Sequence, residues 1–348
     1  MPPPRSLLDP EQLKFHLRRG QPILGMSGSL PNDGPLSSWM KGVEDARPLQ
    51  CINMPGTHDS CSWNPQTIVR PILQNQQRPL LNQLRDGIRV LDLRFGGRDG
   101  ALRLFHGELM LDSTAELVDI LWGCYQFVES HPTEALLVFL KIDNGSMDAF
   151  VRGAIRNLLT SALARDFWLL DAAVRASNLG SCRGKMILLR RFEWDDGPLG
   201  IDLTKWPGMP LSGKFQVPYF DGQSAWIEDL FQFDMGSVAA RSVTEAKWAA
   251  LRDHLERAQK DLDPTSIYFG FASGAGQVNS HYVTPKTMAI GAHTGHPLSD
   301  TTGVNNILHS WVREQLDGQR RIGVILFDFY NAPTGLVEDI VRGQPPFS

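Results

Sequence analysis

Short, continuous apolar runs recur along the chain from about residue 49 to the end, separated by polar and helix-forming stretches. Continuous apolar runs are typical of strands that are covered on both faces, as parallel strands are. Eight runs have this strand-like composition: LQCINM, IRVLDLRF (88–95), LRLFH (102–106), ALLVFLKI (135–142), KMILLRR (185–191), WIEDLF (226–231), SIYFGFA (266–272) and RIGVILFDF (321–329).

Apolar residues at helical spacing predict helices between several of these strands. Ser113 with Glu116, and Ser242 with Glu245, are spaced as capping boxes that would open two of the helices. The four apolar stripes cover residues 117–128, 150–162, 248–262 and 304–311.

Strands that alternate with helices predict an α/β fold, and eight of them favour a single-domain (β/α)8 TIM-type barrel. The link GGRDGA between the second and third strands is too short for a crossover, which needs about a dozen residues. We therefore expect a distorted or incomplete barrel with an antiparallel pair near this link. Residues 1–37, rich in Pro, Gly and Ser, predict an N-terminal arm or small appended element, and residues 38–348 the barrel.

Composition and charge exclude several classes of protein. The 348 residues carry a net charge of −4, so the chain lacks the basic field that nucleic-acid binding needs. No apolar run is long enough to span a bilayer, and the N-terminus has no secretory apolar core. We expect a soluble monomer, cytoplasmic by default, with non-standard secretion left open.

The four cysteines form no C-x-x-C pair, and this spacing favours reduced thiols. A disulfide bond between Cys51 and Cys61 stays open as an alternative.

Polar residues recur at the C-terminal ends of the predicted strands, where barrel enzymes place their catalytic groups. Charges inside a barrel are costly unless they are paired, so packing alone does not explain this recurrence. After the first strand, a Pro-Gly turn lets the adjacent His58 and Asp59 face the same mouth of the barrel. The other strand ends carry Asp92, Arg94, His106, Lys141, Asp143, Arg190, Arg191, Asp229, Phe231, Ser273 and Asp328.

This set of residue types suits a phosphodiester substrate. It is too cationic for a typical glycosidase, which needs a pair of carboxylates. An anionic phosphate gains from fixed positive charge, and two imidazoles can divide the base and acid duties near neutral pH. A carboxylate behind an imidazole fixes its tautomer and stabilises its charged form.

Several segments, in order, resemble the X-type catalytic barrel of phosphatidylinositol-specific phospholipase C, and most closely its single-domain bacterial branch. The segments are SSWMKGV, INMPGTHDS, DGIRVLDLRF, LRLFHGEL, HPTEALLVFLKID, GKMILLRR, WIEDLF and GVILFDFYN. The similarity runs from about Trp39 to the end, except for residues 192–225. It implies cleavage of phosphatidylinositol to diacylglycerol and inositol 1,2-cyclic phosphate, with glycosylphosphatidylinositol left open as a further substrate.

The resemblance also implies roles for individual residues. His58 resembles the general base that deprotonates the inositol 2-hydroxyl, and Asp328 the carboxylate that orients it. His106 resembles the general acid that protonates the departing diacylglycerol oxygen, assisted by Asp59.

Further roles concern the substrate. Arg94 resembles the cation that holds a phosphate oxygen, with Asp92 supporting it. Phe231 stands where the bacterial enzymes have a tyrosine stacked on the inositol ring, so the ring face is kept and the hydroxyl is lost. The remaining expected substrate ligands are Lys141, Arg191, Asp229 and Ser273.

The calcium-dependent branch places its metal ligands at the strand-end positions held here by Asp59, Asp92, Arg94 and Lys141, and the two cations among these would repel calcium. We therefore expect an enzyme without metal or cofactor. Peripheral membrane contact is also expected, and the candidate segments are residues 62–65, with Trp63, and residues 205–211, with Trp206 and Met209. Two alternatives stay open: a related barrel phosphodiesterase acting on glycerophosphodiesters or sphingomyelin, and a non-catalytic module that binds inositol lipids.

Overall fold

The computed structural model describes residues 6–25, 32–65, 67–170, 178–207, 214–220, 223–234, 240–278, 281–293 and 300–346. Its strands are β1 Met54–Thr57, β2 Val90–Arg98, β3 Ala101–His106, β4 Leu109–Met110, β5 Ala135–Asn144, β6 Trp168–Leu169, β7 Lys185–Arg191, β8 Ile201–Asp202, β9 Lys214–Phe220, β10 Gln223–Glu228, β11 Gln232–Asp234, β12 Ile267–Ala272, β13 Ala275–Val278, β14 His281–Val283, β15 Gly291–Ala292, β16 Thr301–Thr302 and β17 Val324–Phe327.

The helices connect these strands and cover the outside of the main sheet. They are α1 Pro10–Arg19, α2 Gln21–Leu24, α3 Arg70–Leu73, α4 Leu80–Arg85, α5 Leu117–Ser130, α6 Ala149–Thr160, α7 Ala162–Phe167, α8 Leu179–Cys182, α9 Ala240–Lys260, α10 Pro285–Ile290, α11 Val304–Gln315 and α12 Leu336–Arg342.

Seven parallel strands form a curved sheet in the order β7-β5-β2-β1-β17-β12-β10. At one edge β9 pairs antiparallel with β10, and at the other the short β6 and β8 pair with β7. Among the residues that the structure describes, no ladder joins the two edges. The predicted α/β fold with a distorted, incomplete TIM-type barrel is therefore confirmed.

Two predicted strands differ from their expected form. LRLFH is not a member of the parallel set, because β3 pairs antiparallel with β2 across the short GGRDGA link, as the length of that link requires. In the first predicted run, LQCINM, residues Leu49–Cys51 form a 3₁₀ turn and the strand begins at Met54.

Alternation along the strands produces two apolar cores. Leu137 and Phe139 of β5 face the barrel interior and pack with inward residues of the other strands. Leu136, Val138 and Leu140 of the same strand face outward and pack under the helices. A strand that is covered on both faces has no polar side, which explains its continuous apolar sequence.

Both predicted capping boxes are wrong. The helix after Ser113 begins at Leu117, and its capping box pairs Glu116 with Asp119. The carboxylate of Asp119 accepts the hydrogen bond from the Glu116 amide at 2.8 Å. Asp119 therefore has the role that the prediction gave to the side chain of Glu116. Ser242 lies inside α9, which extends back to residue 240.

The N-terminal helices α1 and α2 pack against α5. Leu17 and Leu24 are fully buried in the core beneath the helices, and a Cβ atom at Gly123 of α5 would lie 2.7 Å from Leu24. Arg19 and His16 both contact the buried Asp119, with Arg19 Nε at 2.8 Å from Oδ2. The domain boundary at residue 38 stays a prediction.

Two further expectations concern the whole chain. In the described parts of the chain, no helix is long and apolar enough to cross a membrane. All four cysteines carry free thiols, and Cys61 is buried while Cys51 is partly accessible, so the alternative of a Cys51–Cys61 bridge is not formed in this structure.

Candidate active site

The candidate site lies at the mouth of the barrel, where the inward face of each strand changes from apolar to polar. On β5 the inward positions run Leu137, Phe139 and then Lys141. The same change occurs on every strand of the parallel set from β2 onwards, because inward positions recur at every second residue. The inward polar residues that follow the apolar ones are Asp92, Arg94, Lys141, Arg191, Asp229, Ser273 and Asp328.

Three cations stand side by side across the mouth. Arg94 on β2 is in register with Lys141 on β5, and Lys141 is in register with Arg191 on β7. The neighbouring strands of a sheet are about 4.8 Å apart, so the three positive groups form one row. Burial and the nearby Arg94 lower the pKa of Lys141 from its usual value, and burial lowers that of Arg191. The positive charge of this row is partly offset by nearby carboxylates, among them Asp143 and Asp229.

His58 is held between a carboxylate and a guanidinium. Its Nδ1 lies 2.8 Å from Oδ1 of Asp328, and its Nε2 lies 2.7 Å from Nη2 of Arg94. A guanidinium can only donate, so Nε2 must accept and carries no proton in this arrangement. The proton is then on Nδ1, where Asp328 accepts its hydrogen bond. His58 is thus in the tautomer of a general base.

His106 has a separate carboxylate partner. Its Nδ1 lies 2.7 Å from Oδ2 of the fully buried Asp59 and 3.2 Å from the carbonyl oxygen of Leu73. Burial on its own would lower the pKa of His106. The negative charge of Asp59, 2.7 Å away, outweighs burial, so the pKa is raised above the usual value. A raised pKa favours the protonated imidazole, which is the form that a general acid requires.

The backbone at Asp59 explains how adjacent residues can serve two histidines. Asp59 has φ +41°, a left-handed conformation in which Asp is enriched among non-glycine residues. Its amide donates to Oδ2 of Asp92 at 3.0 Å, which holds this conformation. The strand alternation that ends at Thr57 is therefore broken, and Asp59 reaches His106 while His58 reaches Asp328.

Arg94 is fixed by two carboxylates. Nε and Nη2 lie 3.1 and 3.0 Å from Oδ2 of Asp92, and Nη1 lies 3.5 Å from Oδ2 of Asp143. Burial would lower the pKa of Arg94, but Asp92 and Asp143 outweigh it and raise the pKa. For Asp92 burial acts upward and Arg94 downward, and the net result is a lowered pKa. The guanidinium is thus charged and oriented before any substrate binds.

The other expected substrate ligands lie at the same mouth. Arg191 stacks over the ring of Trp206 at 3.7 Å, and the charge of Asp229 acts on it. The hydroxyl of Ser273 is buried and has no hydrogen-bond partner among the described residues. Phe231 is half-buried just beyond Asp229. These positions are compatible with ligand contact, and their roles stay predictions.

Sequence reasoning assigned no role to three residues of the site: Asp143, Asn75 and Gln76. Asp143 binds Lys141 Nζ at 2.5 Å and accepts from the Gly107 amide at 2.9 Å, beside His106. Its position two residues after Lys141 was a signal, because alternation places both on one face. Asn75 and Gln76 lie in a loop without periodicity, and no pattern in the sequence pointed to them.

Two other expectations need correction or comment. Trp206 was a candidate for membrane contact, but it is buried against Phe139, Phe215 and Phe271 inside the barrel. Met209, the other candidate in that segment, lies outside the described residues.

Within the described ranges, no cluster of three or more His, Cys, Asp or Glu side chains could hold a metal ion.

The fold and the site together define a class: incomplete TIM-type barrels with two histidine–carboxylate pairs and a buried arginine at the mouth. Solved structures of this fold include phosphatidylinositol-specific phospholipase C from Listeria monocytogenes, with a TM-score of 0.67 and 21% identity over 89% of this chain and 99% of that chain. A double mutant of the Staphylococcus aureus enzyme gives 0.69 and 18% identity over 90% and 98%. These likenesses establish the fold.

Sequence comparison gives the same group of proteins, although no family model matches the chain. The chain is 31% identical to a 1-phosphatidylinositol phosphodiesterase of Listeria monocytogenes over 195 residues, 54% of this chain and 58% of that protein. It is 24% identical to a protein of that name from Staphylococcus aureus (strain Newman) over 261 residues, 70% of this chain and 78% of that protein. The match therefore spans less than two thirds of the Listeria protein.

Proposed function

We propose that the protein is a phosphodiesterase of the phosphatidylinositol phospholipase C type, producing diacylglycerol and inositol 1,2-cyclic phosphate. One observation carries the proposal: His58 and His106 are each backed by their own carboxylate, and the fixed guanidinium of Arg94 contacts His58 at 2.7 Å and acts on His106 through its charge. The relatives named 1-phosphatidylinositol phosphodiesterase support the choice of substrate.

In the proposed reaction, Nε2 of His58 takes the proton of the inositol 2-hydroxyl. The 2-oxygen forms a bond to phosphorus while the bond from phosphorus to the diacylglycerol oxygen breaks. His106 transfers its proton to that oxygen, so the leaving group departs as a neutral alcohol. Arg94 binds a non-bridging phosphate oxygen and stabilises the charge that grows there. Asp328 stabilises the imidazolium formed on His58.

The row of Lys141 and Arg191, with Asp229 opposite, is proposed to bind the inositol hydroxyls. Charged donors and acceptors suit a polyol because they form stronger hydrogen bonds than neutral groups. The buried hydroxyl of Ser273, which lacks a partner among the described residues, would gain one from the ring. Glycosylphosphatidylinositol stays open as a second substrate.

Phosphorus NMR of the products from phosphatidylinositol vesicles tests the proposal. Attack by the neighbouring hydroxyl gives the cyclic phosphate resonance before any inositol 1-phosphate, whereas direct attack by water gives the monoester alone. His58→Ala and His106→Ala should each reduce turnover at least a hundredfold. Unchanged turnover in both variants would refute the assignment, and tight binding without turnover in the native protein would favour a non-catalytic module.

The alternative of a glycerophosphodiester or sphingomyelin phosphodiesterase is tested in the same assay. Those enzymes hold a metal through carboxylates, whereas here Arg94 occupies the space between Asp92 and Asp143. Release of phosphocholine or glycerol phosphate at a rate above that for phosphatidylinositol would favour the alternative.

We also propose that the mouth meets the membrane through exposed apolar side chains from three segments: the one that leads into and includes α3, β4 and β14. Ile68 is 97% exposed, and Ile72, Leu109 and Tyr282 are between 43% and 46% exposed. The carbonyl oxygen of Leu73, the residue after Ile72, lies 3.2 Å from Nδ1 of His106. Leu109 is the cross-strand partner of His106, and burial together with the charge of Asp328 raises the pKa of Tyr282. Ile72, Leu109 and Tyr282 therefore lie beside the site, and Ile68 precedes α3, which carries Ile72. A relative from Staphylococcus aureus has been studied for its membrane binding, which supports peripheral contact.

A further inference from the structure

Two consecutive side chains, Asn75 and Gln76, join the parts of the chain that carry His58 and Asp328. Nε2 of Gln76 donates to the carbonyl oxygens of His58 and Phe327, both at 2.8 Å. Nδ2 of Asn75 donates to Oδ1 of Asp328 at 3.0 Å. These bonds connect residues 58 and 328 through a third segment of the chain, beyond the point where β1 and β17 pair.

Hydrogen bonds fix both the backbone and the side chain of Asn75. It is 1% exposed, and its backbone amide donates to the hydroxyl of Ser62 at 3.2 Å. Its carbonyl oxygen accepts from the amide of Phe329, directly after Asp328, at 2.6 Å. Asn75 therefore contacts the 328–329 segment twice, once through its backbone and once through its side chain.

The orientation of the Asn75 amide group follows from its neighbours. Nδ2 faces the carboxylate of Asp328, and Oδ1 lies 3.2 Å from the hydroxyl of Ser62, whose single proton is shared with the carbonyl oxygen of Asp59 at 2.7 Å. The reverse orientation would place an oxygen against a carboxylate oxygen, where no proton is available. Oδ1 of Asp328 thus accepts from both Asn75 and His58, and Oδ2 accepts from no described residue.

We propose that Asn75 is a positioning residue that orients the carboxylate of Asp328 and limits how strongly that carboxylate stabilises protonated His58. A neutral donor on Oδ1 withdraws part of the negative charge that would otherwise act on the imidazole. The base then accepts a proton and releases it readily, as turnover requires. The effect on catalysis rests on the proposed function, whereas the effect on the titration of His58 does not.

The other charged groups that face His58 belong to neighbouring elements and stay unchanged in the test. Arg94 and Asp92 act from β2, Asp328 from the end of β17, and Asp59 is the next residue in the chain. Changing Asn75 alters a neutral amide whose Nδ2 lies 3.0 Å from Oδ1 of Asp328 and 3.3 Å from Nδ1 of His58, and it changes none of these charged groups.

The test compares Asn75→Asp, Asn75→Ala and the control Asn305→Ala. Asn305 is fully buried and donates to the backbone oxygens of Asp328 and Ala332, at 2.9 and 3.0 Å. It supports the same loop but not the carboxylate. The first variant keeps the shape and adds a negative charge, the second removes the donor, and the control removes loop support alone.

The first measurement is the titration of His58 by NMR of histidine-labelled protein, with the resonance assigned through His58→Ala. Asn75→Asp should raise the midpoint by about one pH unit because a second carboxylate favours the imidazolium. Asn75→Ala should raise it by less, and Asn305→Ala should leave it unchanged even if it lowers the melting temperature. Equal midpoints in native protein and in whichever Asn75 variant folds would overturn the proposal.

The second measurement is the pH dependence of kcat/KM on phosphatidylinositol. The acidic limb, where the base becomes protonated, should move to higher pH in the same order, and Asn75→Ala should lower kcat about tenfold with little change in KM. An equal loss at all pH values would mean that Asn75 only supports the fold. Absence of turnover in the native protein would refute the proposed function, while the NMR titration would still decide the role of Asn75.

Discussion

Nη2 of Arg94 lies 2.7 Å from Nε2 of His58, the nitrogen that must accept the proton of the substrate hydroxyl. The same guanidinium is the cation expected to hold the phosphate. Without substrate, Arg94 therefore donates a hydrogen bond to the lone pair of Nε2, and this lone pair is not free to accept a proton. A bound phosphate offers the guanidinium a negatively charged acceptor, and a charged acceptor competes well with a neutral imidazole nitrogen. Binding of the phosphate and release of the base are thus linked through one side chain.

This relationship predicts a large effect of Arg94→Lys. An ammonium is a single point of charge and cannot contact Asp92, Asp143 and a phosphate oxygen in fixed directions as a planar guanidinium does. We expect kcat/KM on phosphatidylinositol to fall by about 10²–10³, the range for losing an electrostatic donor at a reacting oxygen. Arg98→Lys, on the exposed end of the same strand, is the control and should match the native enzyme. A loss of less than about threefold in Arg94→Lys would contradict this role.

The Asp59–His106 pair predicts a change in the basic limb of the pH profile. The pKa of His106 is raised because Asp59 outweighs the effect of burial, so the acid stays protonated to higher pH. Asp59→Asn removes the negative charge, lowers the pKa of His106, and should move the loss of kcat/KM at high pH toward neutrality. Glu108→Gln removes an exposed carboxylate nearby and should produce a much smaller shift, because solvent screens it. An unmoved basic limb in Asp59→Asn would show that His106 is not the acid.

Chelation distinguishes a guanidinium from a metal ion at the phosphate. Arg94 lies between Asp92 and Asp143, and Lys141 binds Asp143, so these carboxylates already have cationic partners. A calcium ion needs about six to eight oxygen ligands and would be repelled there. We expect the rate on phosphatidylinositol to be the same with excess EGTA and with millimolar calcium. A calcium-dependent phospholipase C in the same assay verifies the chelator, and a loss of activity restored by calcium would refute the prediction.

The curved parallel sheet could be predicted from the sequence because a strand covered on both faces must be apolar throughout, as residues 135–140 are. The polar residues of the mouth could be predicted for the same reason: Lys141 and Arg191 interrupt that pattern at the end of a strand. The antiparallel β2–β3 pair followed from the length of the GGRDGA link. In each case a local pattern carries the three-dimensional constraint.

The supporting groups could not be predicted, because their partners are distant in the sequence. Asn75 binds Asp328 across 253 positions, and Asn75 lies in no periodic element that would bring the two together. The capping box pairs Glu116 with Asp119, and Asp119 also binds His16 and Arg19 of the N-terminal helix. The spacing of Ser113 and Glu116 along the chain carries no sign of these distant partners.

The exposed apolar residues around the mouth predict a dependence on the lipid surface. Ile68→Ser with Ile72→Ser should lower vesicle binding and the rate on vesicles about tenfold or more, since each buried apolar side chain contributes about 1.5–3 kcal/mol. The rate on a soluble short-chain phosphatidylinositol should stay unchanged. Leu262→Ser is the control, because Leu262 is 93% exposed but precedes β12 at the opposite end of the barrel. Equal losses on both substrates, or an effect of Leu262→Ser, would contradict this surface.

The buried pair of Lys247 and Glu228 predicts a large effect on stability. Nζ lies 3.0 and 2.9 Å from the two carboxylate oxygens, and neither side chain is exposed. Lys247→Met leaves Glu228 buried without its cation, so the free energy of unfolding at pH 7 should fall by about 3–5 kcal/mol. Lys260→Met, on the exposed face of the same helix, is the matched control and should leave stability unchanged.

The pH dependence of this loss identifies its cause. Burial raises the pKa of Glu228 even with Lys247 present, and removing the cation should raise it further. A carboxyl whose pKa is higher in the folded than in the unfolded state favours folding at low pH and opposes it as the pH rises through the folded value. In urea denaturation, Lys247→Met should therefore approach native stability as the pH falls toward 4, and Glu228→Gln with Lys247→Met should recover much of the loss at pH 7. A deficit that is the same at pH 5 and pH 8 would mean that lost packing, not the unpaired charge, destabilises the variant.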